Sequence, residues 1–362
     1  MFVVIMLYSF TLFASAEMVS SEELYNGFDF VISDDVREVL ESAGFEDFSA
    51  KKLSNISILD SFSAIFDVFK GSLKKPFSCL FFLTGIIILC SVGTGFVQQN
   101  KSISEYFDSV VILVIMLYSF LNVTDCISNA VIAMHSTGVM MKSLIPATAM
   151  LAAFSGNPSL AVSYNAVSMY CAEVISAVCR DFLGPVLYSF SAVSVCMSVN
   201  ATTFNADYVL NAMKKVVGVV LGFCGTVYTG VLALKDVLAV GTDKIAVKSV
   251  KFVLGTTVPV IGSALSEGLS SVVASISLMK NVYGTIGIIV IITVTLPSVC
   301  EMILWILTFS LTEYISQALG LGNVAKSFSA LKYVISMLLS ILLFVVYILV
   351  VSSAMIMLLG NK

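Results

Sequence analysis

The sequence has one histidine, His135, and none of its eight cysteines is arranged as CxxC. A histidine-based metal set or catalytic triad needs a second ligand or an orienting partner around the imidazole, and no second histidine exists to serve. Soft-metal centres and disulfide frameworks are not expected either. Neither GxxxxGK[ST] nor HExxH occurs, so there is no phosphate-cradling loop and no helical zinc site. No catalytic residue, cofactor or metal is expected. Charge is also scarce, at 12% of residues, and 23 acidic against 19 basic side chains leave a net charge of -4. Without a basic excess to neutralise phosphates, a nucleic-acid partner is excluded.

What fills the space is apolar. Hydrophobic residues make up 58% of 362, and the mean hydropathy is +1.01. That composition belongs to integral membrane proteins.

The first apolar run, residues 2 to 13, is too short to span about 30 Å of hydrocarbon. Ala14-Ser15-Ala16 follows it with the pattern of a signal-peptidase site, which places cleavage before Glu17. The run lacks the preceding Lys or Arg of a usual export signal. Residues 17 to 75 then hold 12 of the 23 acidic and 6 of the 19 basic residues, so this piece is expected in water on the extracytoplasmic side. Ser33, Asp34 and Asp35 open a short helix that Gly44 can cap. Ile58, Phe62, Ile65, Phe66 and Phe69 form an amphipathic stretch expected to end near Lys74, Lys75 and Pro76. The expected organisation is a signal peptide over 1–16, an acidic extracytoplasmic segment over 17–76 and a membrane domain over 77–362.

Backbone amides in lipid must be satisfied within the chain, so the membrane domain reads as helical throughout. The expected fold is an all-α polytopic membrane protein with about eight spans: 77–98, 107–124, 160–179, 183–204, 216–234, 252–279, 283–308 and 333–359. Residues 144–154 are too short to cross, and the breaker Ser155-Gly156-Asn157-Pro158 follows, which predicts a re-entrant half-helix. Residues 309–320, beyond a kink at Pro297, are expected to run along the interface.

Small residues mark faces where helices approach closely. Gly218, Gly222 and Gly225 share one side of the fifth span, and Gly262, Ser266 and Gly268 recur in the sixth. These faces serve packing within the chain or against another subunit. Charges inside spans are costly, at least about 2.5 kcal/mol each at mid-membrane, which singles out Glu173, Glu267 and Glu301. Glu267 faces an aqueous path or marks a surface break, and Glu301 marks a loop after Pro297. Seven residues separate Glu173 from Arg180, about 10 Å along a helix, so the two pair only if the chain bends. His135 sits in the polar break HSTGVMMK. Lys244, Lys248 and Lys251 share one face of a connection that the positive-inside rule places in the cytoplasm, where anionic membrane lipids are the default partner.

The stretch AVKSVKFVLGTTVPVIGSALSEGLSSVVASISLMKNVYGTIG (residues 246–287), with HSTGVMMKSLIPATAMLAAFSGNPSLA (135–161), resembles the stage III sporulation protein AE family of endospore-forming bacteria. The resemblance covers most of the chain after residue 77, and its motifs are Gly, Pro and Lys positions rather than catalytic groups. It implies a non-enzymatic subunit of the secretion-like or feeding channel complex between mother cell and forespore, seated in the outer forespore membrane. The implied partners are other stage III sporulation membrane subunits, a secretion-type ATPase, ring-forming intermembrane subunits and a YidC/Oxa1-type insertase. The alternative is a self-contained secondary transporter or permease, which calls for duplicated halves around a midplane site. No such duplication is detectable.

Overall fold

The computed structural model describes the backbone over residues 58–97, 101–154, 158–199, 206–239 and 262–358. Every described element is helical: α1 (Ile58–Val97), α2 (Lys101–Phe154), α3 (Pro158–Val178), α4 (Gly184–Val199), α5 (Ala206–Ala239), α6 (Gly262–Ala318) and α7 (Gly322–Leu358). A π-turn, Cys179–Leu183, joins α3 to α4 without a break. It lies directly ahead of Gly184 and Pro185, where the missing proline N–H removes one rung of the α-helical ladder.

Five described stretches are long and apolar enough to cross a membrane: Lys70–Gly93, Ser109–Lys142, Asn211–Ala233, Val290–Ala318 and Gly322–Ala354. This is a membrane protein built from helices. The eight expected spans do not map one to one onto these elements. Residues 144–154 are the C-terminal part of α2 rather than a separate half-helix, and the expected break at HSTGVMMK is helical. The expected spans 160–179 and 183–204 are joined through the π-turn. Residues 262–308 form one helix, and residues 309–318 stay in it instead of leaving for the interface. The amphipathic stretch from Ile58 does not end at Pro76; α1 continues through it. Residues 1–57, which hold Ala14, Ala16 and Glu17 and the acidic helix, lie outside the described residues, as does the connection bearing Lys244, Lys248 and Lys251.

Side-chain contacts fix the directions. Cys79 meets Asn122, and Phe82 meets Tyr118, so α1 and α2 are antiparallel. Along α2 and α3–α4 the matched pairs are Lys142 with Glu173, His135 with Arg180 and Thr124 with Tyr188, again antiparallel. Lys214 with Tyr333, Gly225 with Phe344 and Tyr228 with Ser352 rise together, so α5 and α7 are parallel. α6 turns back into α7 at a glycine cap. The Gly320 N–H donates to the Gln317 carbonyl at 3.1 Å, and the Leu321 N–H donates to the Ser316 carbonyl at 2.9 Å. Gly320 has φ 77°. This pattern satisfies the last carbonyls of α6 and needs the left-handed region that glycine enters without penalty.

α2 is the central helix, packed against α1, α3, α4, α6 and α7. The core around it is made mostly of Leu, Ile, Val and Met side chains, with Trp305, Phe309 and Phe328 filling the space between α6 and α7.

Candidate functional site: polar seams between the helices

Three sets of polar side chains link helices that are otherwise apolar. The first runs between α2 and the α3–α4 rod. Lys142 Nζ lies 2.7 Å from Glu173 Oε1, and Glu173 is buried while Lys142 reaches outward. Two helical turns away, Arg180 on the π-turn donates from Nε and Nη2 to both Asp181 oxygens at 2.7 and 2.9 Å. Its Nη1 lies 2.9 Å from His135 Nδ1. A guanidinium can only donate, so His135 accepts at Nδ1 and carries its ring proton on Nε2. Ser176 donates to the Met134 carbonyl at 3.4 Å between these two clusters. Close approach is set by Gly184, where an added Cβ would lie 3.3 Å from Val131 Cγ2.

The second set joins α2 to α6. Asn129 Nδ2 donates to Glu301 Oε2 at 2.9 Å, and the Trp305 indole N–H donates to Glu301 Oε1 at 3.4 Å. Ser298 Oγ donates to the Asn129 carbonyl at 3.4 Å. Glu301 therefore does not mark a loop. It sits inside α6, and both its oxygens accept from neutral donors.

The third set ties α5 and α6 to α7. Glu313 pairs with Lys332 across the hairpin. The neighbouring Tyr333 ring receives Lys214 Nζ at 4.2 Å from its centroid, a cation–π contact. Further along, Tyr228 Oη donates to the Ile348 carbonyl at 3.0 Å and shares a 2.7 Å hydrogen bond with Ser352 Oγ.

The sequence-selected residues are thus distributed rather than gathered. Glu173 and Glu301 belong to two different seams of α2. Glu267 lies in the first turns of α6, with Gly262, Ser266 and Gly268; only their backbone is described. Of the α5 glycines, Gly225 meets the Phe344 ring at 3.6 Å, whereas Gly218 and Gly222 have nothing within 4 Å of an added Cβ. Packing among the described residues therefore accounts for Gly225 alone. Gly225→Leu is expected to lower the thermal midpoint of the purified chain by forcing α5 off α7, at roughly 1–3 kcal/mol. Gly222→Leu should leave that midpoint unchanged; equal losses from both substitutions would contradict the open face seen at Gly222.

Sequence reasoning missed Arg180–His135, Glu313–Lys332, Gly184 and Asn129. For Glu313 and Lys332 a signal existed: they flank the Gly320 turn, and folding the sequence back there brings them within reach. The seams hold helices in register. Among the described residues no three His, Cys, Asp or Glu side chains gather as a metal site.

A family model described as "Stage III sporulation protein AE" matches residues 44–360. The chain belongs to this family. A relative from Bacillus subtilis (strain 168), named "Stage III sporulation protein AE", is 23% identical over 265 residues. That match covers 70% of this chain and 66% of the relative, so the chain spans just under two thirds of that protein's length. No solved structure matches. The family places the protein in sporulation.

Proposed function

We propose that this chain is the multi-span, non-enzymatic core of a secretion-like channel complex between mother cell and forespore, seated in the outer forespore membrane. The observation that carries the reading is the family match over residues 44–360, nearly the whole chain. The geometry agrees with a subunit. The α5 span is the least covered of the five, and Val219, Phe223 and Val227 project from it beside the open Gly218 and Gly222. Such a face suits close contact with a helix from another chain. The proposed partners are other stage III membrane subunits, ring-forming intermembrane subunits and a secretion-type ATPase, with a YidC/Oxa1-type insertase serving assembly. Lys244, Lys248 and Lys251 are proposed to lie at the cytoplasmic surface, on anionic lipid.

Affinity purification of the tagged chain from sporulating cells in mild detergent tests this. Recovery of the other stage III membrane subunits and the ATPase is the expected result. A monodisperse single chain that binds a small solute would overturn it in favour of a self-contained transporter. In the same preparation, Gly222→Leu is expected to reduce subunit recovery several-fold while the chain itself stays folded.

A further inference from the structure

Two apolar spans, Val290–Ala318 and Gly322–Ala354, meet at the Gly320 turn. Leu319, Gly320 and Gly322 are exposed there. Exposed irregular backbone does not stay in hydrocarbon, where its N–H and C=O groups would find no partner. The turn therefore marks one face of the bilayer.

From the turn into the bundle, the exposed side chains change in a fixed order. Lys326 and Tyr208 come first: α5 runs parallel to α7 with Lys214 at Tyr333, so Tyr208, six residues before Lys214, lies beside the level of Lys326. Tyr314 and Lys215 come next, adjoining the Glu313–Lys332 pair and the Lys214–Tyr333 contact. At 1.5 Å per residue the two levels are about 9 Å apart. Further in, the exposed side chains are apolar, with Leu311, Leu307 and Ile303 on α6 and Val216 on α5, and residues 333–358 carry no charge. Tyr208 and Tyr314 are 75% and 64% exposed. Lys215 and Lys326 are exposed too, and among the described residues neither makes an ion pair.

Neither water nor hydrocarbon alone accounts for this band. Water does not favour open tyrosine rings that lead into leucines and isoleucine, and hydrocarbon does not hold two uncompensated ammonium groups. The headgroup layer, roughly 5–8 Å thick on each side of the hydrocarbon, suits both, because tyrosine puts its ring toward the acyl chains and its hydroxyl toward water while lysine reaches outward. We propose that Lys215 and Lys326, with Tyr208 and Tyr314, form a headgroup-binding band at the α6–α7 turn whose ligand is the phosphate of an anionic phospholipid. The described side chains of the band hold four lysines against the single carboxylate of Glu313. That excess favours an anionic headgroup over a zwitterionic one, which brings a competing ammonium of its own. The band lies at the N-terminal end of α5, whereas the connection with Lys244, Lys248 and Lys251 follows its C-terminal end. The proposal rests on membrane insertion of the chain and on no partner subunit.

The full chain is reconstituted in phosphatidylcholine vesicles with a trace of photoreactive lipid, a diazirine placed next to the glycerol of either phosphatidylglycerol or phosphatidylcholine. Crosslinked peptides are mapped by mass spectrometry. Phosphatidylglycerol is expected to label residues 208–216 and 311–326 roughly tenfold more than phosphatidylcholine. Lys215→Gln combined with Lys326→Gln should bring that ratio close to one, and the matching pair of arginine substitutions should keep it; unchanged thermal midpoints for both variants exclude misfolding. Equal labelling of the unsubstituted chain by the two lipids would overturn the proposal, and so would a preference that survives the glutamine pair. Absence of label from both lipids would place the band against protein or water instead. Loss of the phosphatidylglycerol label on adding inorganic phosphate would assign the lysines to a free anion and overturn the lipid ligand. None of these outcomes depends on the purification from cells, so failure here leaves the multi-subunit reading standing, and failure there leaves this one.

Discussion

Replacing Trp305 by alanine is expected to destabilise the chain by about 3–5 kcal/mol, the range for deleting a buried large aromatic. Trp305 is 1% exposed and lies between α6 and α7. Its ring centroid is 5.5 Å from that of Phe309, which in turn is 5.9 Å from Phe328. Alanine would leave a void beside two rings that are themselves fixed on rigid helices, so the site can collapse only partly. It would also remove the indole donor from Glu301, leaving Asn129 as the donor that remains. Trp305→Phe separates the two effects, because it keeps most of the volume and removes only the N–H. It should cost about 1–2 kcal/mol, in line with a hydrogen bond to a charged acceptor plus a small void. Thermal unfolding of the purified chain in detergent, followed by helical circular dichroism, reads both. A Trp305→Ala midpoint close to that of the unsubstituted chain would show that the α6–α7 aromatic layer does not hold the hairpin.

The helical class was legible because lipid leaves the backbone few options, and long apolar runs state that requirement directly. The number of separate helices was not. Lys142 falls in the HSTGVMMK stretch read as a polar break, and Arg180 and Asp181 fall between the expected spans 160–179 and 183–204, since a charge inside a span is costly. In the structure each has a partner: Lys142 on Glu173, Arg180 on Asp181 and His135. Helices can run on through such charges, and the pairing crosses between elements that sequence spacing does not connect. The same limit applied to Glu301, whose donors Asn129 and Trp305 come from α2 and from one turn further along α6. Glycine spacing was legible as a face but not as an occupant. Gly225 met its ring while Gly218 and Gly222 met nothing, and the residue that does bring two helices together, Gly184, belongs to no repeat. The Gly320 cap is the converse case, a single glycine whose role follows from the turn it permits.

Lys332→Met is expected to cost about 1–3 kcal/mol, because it leaves the partly buried Glu313 carboxylate without its partner. The Glu313 side chain is 12% exposed and that of Lys332 25%. The pair joins α6 to α7 close to their shared turn, and Tyr333, next in sequence to Lys332, carries the Lys214 contact that holds α5 alongside. The matching double substitution, Glu313→Leu with Lys332→Met, removes both charges and supplies apolar atoms of similar reach. Buried ion pairs replaced in this way by packed hydrophobic side chains are often no less stable. The double variant should melt near the unsubstituted chain while each single variant melts well below it. If the double variant loses as much as the sum of the two singles, the residues act independently and the α6–α7 hairpin is held by its apolar contacts alone. If the singles are silent, the carboxylate of Glu313 finds water or another donor, and the pair contributes register rather than stability. The predicted pattern, large singles with a near-neutral double, is the signature of a charge whose cost is set by its partner's presence.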